Sequence, residues 1–227
     1  MSRVYDLHIH SCLSPCADDD MTPENIAGMA HINKLDTIAL TDHNSGENLE
    51  VTAAACAKYD IRFVPGVEVN TAEEIHVLCY FSALSSALSF CDMIYDSLPD
   101  IPNRPEIFGN QLIIGKDDAP AGSLNKMLYN ASAYPLEDVV ALSELHGGCA
   151  VPAHINRQFA SLMANIGYIP DGLFSAVEIR PELPAPDLPE GMKVLYSSDA
   201  HQLQDIAAAA QAAPSPHPIG DIIRWLE

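Results

Sequence analysis

The chain has 227 residues, 48% of them hydrophobic, with 11 Lys and Arg against 31 Asp and Glu and a formal net charge of −20. That length suits one sizeable core, so a single domain over residues 1–227 is expected. No apolar run approaches the ~18 residues of a membrane helix, no apolar leader precedes the first strand, and the basic residues are too few to coat a phosphate backbone. The expectation is therefore a cytoplasmic protein with no membrane association and no long duplex nucleic acid as partner.

Strands are expected at 4–9, 36–41, 61–67, 75–80, 149–153, 176–180 and 193–197. Helices are expected at 23–33, 46–58, 83–97, 136–146, 158–165, 202–209 and 218–226. The first strand alternates. Asp6, His8 and His10 fall on one face, and Tyr5, Leu7 and Ile9 on the other. Thr22 followed by Pro23 is a helix-start signal, because Pro at the first helical position loses only an N–H that has no intrahelical partner. Ser45, Gly46 and Glu47 mark the second start less clearly. The second strand runs into Asp42-His43, the third into Glu68, and the fourth carries His76.

Residues 98–125 are rich in Pro, Asn, Asp and Gly. They read as an irregular insertion with a short hairpin near 110–114, expected to cover the mouth of the fold and shape specificity. The fifth strand leads to His154, the sixth ends at Arg180, a proline-rich loop fills 181–191, and the seventh leads to Ser198-Asp199-Ala200-His201. The alanines at 207–213 read as a surface helix or its frayed end. Seven strand–helix alternations imply a mostly parallel α/β sheet, with function at the C-terminal strand ends. Six scattered cysteines without a framework spacing read as reduced thiols, mostly core.

Of nine histidines, six (His8, His10, His43, His76, His154 and His201) sit at strand ends or beside polar motif residues. Asp18, Asp42, Glu68 and Asp199 occupy comparable places. Singly, each has an ordinary reading: a core histidine, a helix cap, half of an ion pair. Together, imidazoles and carboxylates recurring at the same end of successive strands point to bound Zn, Mn or Fe. Glu68 is the best bridge, since a carboxylate joins two ions and a neutral imidazole does not. Three divalent cations would also offset part of the negative charge. His31 and His146 fall late in helices, where a cation suits the macrodipole, and His217 lies between prolines. None of these three is expected to be a ligand.

The motifs DLHIH (6–10), an Asp before TPEN (18–25), LTDHN (40–44), PGVEVN (65–70), EIHVL (74–78), AHINR (153–157) and SSDAH (197–201) resemble the PHP (polymerase and histidinol phosphatase) family of metal-dependent phosphoesterases. The resemblance implies a distorted, TIM-like (β/α)7 barrel holding up to three divalent cations. It assigns His8, His10, Glu68 and Asp199 to a first ion. Glu68 would bridge to a second ion held with His76 and His154, and Asp18, His43 and His201 would hold a third. Asp6 would stand behind the ligands and fix an imidazole tautomer, and Asp42 would either do the same for a neighbour or cap the second helix. The spacing from His10 to the acidic ligand is wider than in the family. Asp18, Asp19 and Asp20 all remain open there, the offset to Thr22-Pro23 favouring Asp18. Cys12 and Cys16 lie in that wider segment. Thiolate is a legitimate ligand, but ordinary loop or core thiols are expected.

The implied reaction is hydrolysis of a small phosphorylated metabolite or nucleotide by metal-activated water. Arg157, then Arg180, are the expected phosphate clamps, and His201 or His43 the expected proton donor. Two alternatives stand beside it. One is an amidohydrolase-type C–N hydrolase, disfavoured because no lysine sits at a strand end to bridge metals. The other is a non-catalytic metal-binding regulatory module, disfavoured by the full ligand set.

Overall fold

The computed structural model describes residues 4–208 and 218–223. In chain order the elements are β1 (Tyr5–Asp6), α1 (Pro23–Ile32), β2 (Thr37–Leu40), α2 (Leu49–Lys58), β3 (Arg62–Asn70), β4 (His76–Phe81), α3 (Leu84–Ser97), α4 (Pro105–Phe108), β5 (Leu112–Ile114), β6 (Pro120–Ser123), α5 (Leu136–Leu145), β7 (Gly148–Pro152), α6 (Leu162–Asn165), β8 (Ala176–Glu178), β9 (Lys193–Leu195), a 3-10 turn (Leu203–Asp205) and α7 (Ile219–Ile222). The expected last helix extends past the described residues, as do His217 and most of the alanine run. No helix among the described residues is long and apolar enough to cross a membrane.

Local chemistry explains the better-defined elements. Thr22 caps α1 by accepting from the Asn25 N–H, with Pro23 in the first turn. In α3, Ala87, Phe90, Cys91 and Ile94 form one buried stripe at helical spacing. The second helix starts three residues later than expected. Asn48 precedes it without a side-chain cap, its amide donating instead to Ser11 Oγ (3.0 Å) and to Leu112 O (3.1 Å). Gly46 packs so tightly that a Cβ there would lie 2.9 Å from Cys91 Sγ.

The main sheet has the order β1-β2-β3-β4-β7, and β8 and β9 form a second, parallel pair. The expectation of a mostly parallel sheet needs correction. β1–β2 and β2–β3 are parallel, but β3–β4 and β4–β7 are antiparallel. No crossover helix separates β3 from β4, and a parallel neighbour needs one. A tight turn reverses the chain instead, closed by Thr71 N–H to Ile75 O (2.9 Å), with Glu74 at φ 59°.

Among the described residues the two sheets are joined by isolated hydrogen bonds rather than by a ladder. Ile9 bridges Ala200, and the Ile155 N–H donates to Glu178 O (2.9 Å). The described strands therefore form a mixed α/β arrangement without one closed sheet, and the (β/α)7 closure is not drawn by its ladders. At these seams the chain has left strand geometry, with His154 at φ 29° and Asp199 at φ 53°.

Strand alternation sorts two apolar layers. On β4, Leu78 and Tyr80 join an inner cluster with Leu7, Val64 and Leu195, while Val77, Cys79 and Phe81 face an outer cluster with α2, α3 and α5. A strand buried on both faces is apolar along its length, as β4 is from Val77 to Phe81. The Tyr80 hydroxyl donates to Leu7 O (2.9 Å), which satisfies its one polar atom in the core.

Residues 98–125 do not cover the mouth. None of them lines the main cavity. They brace the segment after His10 from outside, with the Leu112 N–H on Cys12 O (2.8 Å) and Gly109, at φ 104°, pressed against Pro15. A Cβ on Gly109 would lie 2.1 Å from Pro15 O. Gly109→Ala should therefore cost about 1–3 kcal/mol in thermal or denaturant unfolding. An unchanged melting midpoint would show that the loop yields freely.

Candidate metal centre

Glu68 lies inside β3, not beyond its end as expected, because pairing with β4 extends the strand to Asn70. Its backbone is fixed on both sides by the chain leaving β2: the Glu68 N–H donates to Asp42 O (3.0 Å) and the Asn44 N–H to Glu68 O (3.0 Å). Five imidazoles surround its carboxylate. Oε1 lies 3.0 Å from His76 Nδ1, 3.2 Å from His154 Nε2 and 3.4 Å from His8 Nε2. Oε2 lies 3.1 Å from His43 Nδ1 and 3.4 Å from His10 Nε2.

Asp199 closes the other side. Its Oδ1 lies 3.3 Å from Nε2 of both His8 and His10, and its Oδ2 takes Arg157 at 3.0 Å and Arg180 at 3.3 Å. His201 stacks on His10 at 4.4 Å and donates Nδ1–H to Asp199 O (2.7 Å). Residues from the ends of both sheets thus converge on one buried point. Left-handed backbone at His154 and Asp199 costs on the order of 1–3 kcal/mol each, and such strain concentrates at functional sites.

The tautomers decide what this cluster wants. His8 Nδ1 donates to the Glu178 carboxylate (2.9 and 3.1 Å). Ser14 Oγ donates to Asp42 Oδ1 (2.7 Å), so it accepts from His10 Nδ1 (2.9 Å). Both Nδ1 atoms hold their proton, so in the neutral rings the two Nε2 atoms carry bare lone pairs. They face each other at 3.1 Å, flanked by the oxygens of Glu68 and Asp199. Only positive charge reconciles four such acceptors in a dry site. His43 Nδ1 and His154 Nδ1 are also buried without a hydrogen-bond partner among the described residues. The donor set therefore fits divalent cations.

The electrostatics agree. Burial opposes a charge on His8, yet Glu178, Asp199 and Glu68 raise its proton affinity well above the ordinary histidine value. Burial likewise opposes a proton on His10, but hydrogen bonds to Asp199 and Glu68 raise it to about 9. Burial would raise the carboxyls of Glu68 and Asp199, but the surrounding imidazoles hold both well below the usual range. Burial, reinforced by neighbouring His10, brings His201 down to about 4. A neutral His201 with Nδ1–H committed to a carbonyl offers a lone pair at Nε2, which favours a ligand's role over a proton donor's at neutral pH. Burial lowers His43 as well, well below its ordinary value.

The structure gathers His8, His10, His43, Glu68, His76, His154, Asp199 and His201, with Arg157 and Arg180 beside them. Other expectations need correction. Asp18 is exposed, as are Asp19 and Asp20. Asp18 joins none of the ligand groupings; its backbone N–H instead donates to His201 O (3.0 Å). Asp6 reaches no imidazole: it accepts from the N–H groups of Ser198 (3.0 Å) and Ala207 (2.8 Å), which ties down the Asp199 segment. Asp42 is linked to His10 by hydrogen bonds through Ser14, and it also takes the Ser11 N–H (2.7 Å) and hydroxyl (2.6 Å).

Cys16 was expected to be an ordinary thiol, yet its Sγ lies with His10, His43 and His201, their ligand atoms all within 4.8 Å of one another. Burial pushes this thiol up to about 12, against a lowering hydrogen bond with Tyr129. His31 packs its ring on Tyr59 and His146 donates to Leu142 O, both away from the cluster.

Glu178 was missed by sequence reasoning. Its signal is an acid at the end of the short apolar strand Ala-Val-Glu. Ser14 carries no such signal.

The PHP domain family model matches residues 6–163, more than half of the chain. The chain belongs to the PHP family. PHP proteins are metal-dependent phosphoesterases, and the converged imidazoles and carboxylates form clusters that could hold metal ions.

Over 81 residues, 34% of its length, this PHP chain is 30% identical to a 5′-3′ exoribonuclease of Haemophilus influenzae, and the match spans 28% of that protein. Its fold resembles that of endonuclease Q, a lesion-specific endonuclease from Pyrococcus furiosus (TM-score 0.63, 18% identity, 89% of this chain, 49% of the other). It also resembles a Bifidobacterium adolescentis protein described as a metal-dependent phosphoesterase (TM-score 0.59, 17% identity, 88% of each chain). The chain thus spans under a third of the exoribonuclease and about half of the endonuclease.

A second endonuclease Q structure (TM-score 0.61, 18% identity, 97% of this chain, 51% of the other) holds a 27-mer duplex with an abasic lesion at its active site. The exclusion of duplex nucleic acid from net charge is thereby overturned. Net charge counts the whole surface, whereas a phosphate meets the charges local to the site, bound cations and arginines among them.

Proposed function

We propose that this PHP protein hydrolyses phosphoester bonds of a nucleotide or of a nucleic-acid end. The observation that carries the reading is the convergence of the His8 and His10 Nε2 atoms, 3.1 Å apart, between the carboxylates of Glu68 and Asp199 and beside two arginines. His8, His10, Glu68 and Asp199 would hold one cation, and Glu68, His76 and His154 a second. Cations so placed supply a water of lowered pKa and a clamp for phosphoryl oxygens.

The chain's own groups do the rest. Glu178 and Ser14 hold the two imidazoles in their ligating tautomers. Arg157 and Arg180 line a cavity of ≈ 720 Å³ with Tyr129 and Phe159, room enough for one nucleotide. Phe159 is 62% exposed and has the Arg157 guanidinium 4.5 Å from its ring centroid. It offers a stacking face for a base whose phosphate meets Arg157. No lysine lines this cavity, so a lysine-bridged amidohydrolase centre has no counterpart there.

Metal-loaded protein should release phosphate or nucleotides from a panel of mononucleotides and 5′-labelled oligonucleotides. Inactivity across that panel with Mn²⁺, Zn²⁺ and Fe²⁺ would sink the reading. Arg157→Ala should leave metal content intact and lower kcat/KM about 10–100-fold, mostly through KM. That is the loss of one charge-assisted hydrogen bond of roughly 1.5–3 kcal/mol. Unchanged kinetics would remove Arg157 from the reaction.

A further inference from the structure

We propose that Cys16 supplies a thiolate ligand to a third cation, held with His43 and His201, at the place where the family resemblance puts an aspartate. The inference rests on the metal-centre reading above and adds to it the identity of the ligand and the class of ion.

Three independent observations support it. The Cys16 Sγ and the ligand atoms of His10, His43 and His201 lie within 4.8 Å of one another, a donor set of sulfur and imidazole. His10 Nε2 already faces the first site, between Glu68 and Asp199, which leaves Cys16, His43 and His201 for the third. His43 is 3% exposed, and its Nδ1, 3.1 Å from Glu68 Oε2, makes no hydrogen bond among the described residues. Finally, the aspartate alternatives Asp18, Asp19 and Asp20 are exposed, two or more residues further along a segment whose turns are pinned.

That pinning is specific. The Ser14 N–H donates to Ser11 O and the Ala17 N–H to Ser14 O (3.0 Å each). Asp42 holds the hydroxyls of Ser11 and Ser14, and Gly109 presses on Pro15 from outside. These contacts present Cys16 inward, and the Asp18 backbone then binds His201 O (3.0 Å) while its side chain stays outside. A thiolate with two imidazoles selects a borderline-soft ion, zinc or ferrous iron, over manganese or magnesium.

Cobalt(II) in place of zinc tests this on the full chain, stripped of metal and reloaded. The wild type should show a thiolate-to-cobalt charge-transfer band in the near ultraviolet. Cys16→Ser should lose the band and one equivalent of metal per chain, while Asp18→Asn should keep both. In the wild type, zinc should also protect the Cys16 peptide from iodoacetamide, read by mass spectrometry, which does not depend on a variant folding.

A wild type that binds cobalt with no such band, or an Asp18→Asn variant that alone loses the metal equivalent, overturns the thiolate and leaves the two-cation centre standing. A wild type that binds no cobalt overturns both.

Discussion

Glu68→Gln should abolish turnover and empty the centre. The substitution keeps the shape of the side chain and removes the charge that five imidazoles surround. Phosphoester hydrolysis should fall at least ~1,000-fold, about 4 kcal/mol of transition-state stabilisation. Elemental analysis should show the loss of the ions that share this carboxylate. Full metal content with full activity would remove Glu68 from the bridging position.

The metal-free protein supplies a second readout of the same change. There the carboxylates raise the proton affinity of both His8 and His10, and breaking such a buried charged pair costs about 3–5 kcal/mol. The pH dependence follows from the shifts. The Glu68 carboxyl titrates well below its ordinary value in the folded chain, so its contribution is present above the unfolded value of ~4.3 and is lost as pH falls through the folded one. His10 titrates at about 9 when folded, so its share is full below its unfolded value of ~6.5 and fades as pH rises through 9. The stability gap between metal-free wild type and Glu68→Gln should therefore be widest between about pH 4.5 and 6.5 and narrow on both sides. A gap that widened from pH 7 to 10 would contradict the pairing.

Glu178→Gln should weaken metal binding about 10–100-fold, the usual effect of losing the group that orients a ligating imidazole. Glu178 fixes His8 in the tautomer that points Nε2 at the cluster, and it also accepts the His154 N–H (2.9 Å). The amide keeps an acceptor but not the charge. Activity should fall at ordinary metal concentrations and recover in part with excess metal, and calorimetric titration should show the weaker first site. Glu178→Ala should do more, costing a further ~1–3 kcal/mol of folding stability because the buried His154 N–H loses its acceptor. Equal metal affinity in wild type and Glu178→Gln would show that His8 keeps its orientation without the carboxylate.

These two residues mark how far the chain could be read without coordinates. Glu68, His8, His10, His154 and Asp199 were legible because each follows or ends a short apolar run, and a strand end is a local property. Helix α1 was legible through its Thr22–Pro23 start, and α3 through its apolar spacing, for the same reason. The antiparallel course of β4 follows from the short link between the expected third and fourth strands, which leaves no room for the crossover of a dozen or more residues that a parallel neighbour needs. Asp6 alternates with His8 in the sequence, yet its carboxylate ends on the backbone N–H groups of Ser198 and Ala207, nearly two hundred positions away.

The order of residue types along the chain determined the family and most of the residues that meet at the centre, since strand periodicity and motif spacing are written in neighbouring positions. Tertiary structure alone decided which groups stand behind those residues, Glu178 on His8 and Ser14 with Asp42 on His10, and that Cys16 turns inward where Asp18 does not. Such contacts depend on how loops from distant strands close over the sheet ends. Their hydrogen bonds form between residues that no local pattern pairs.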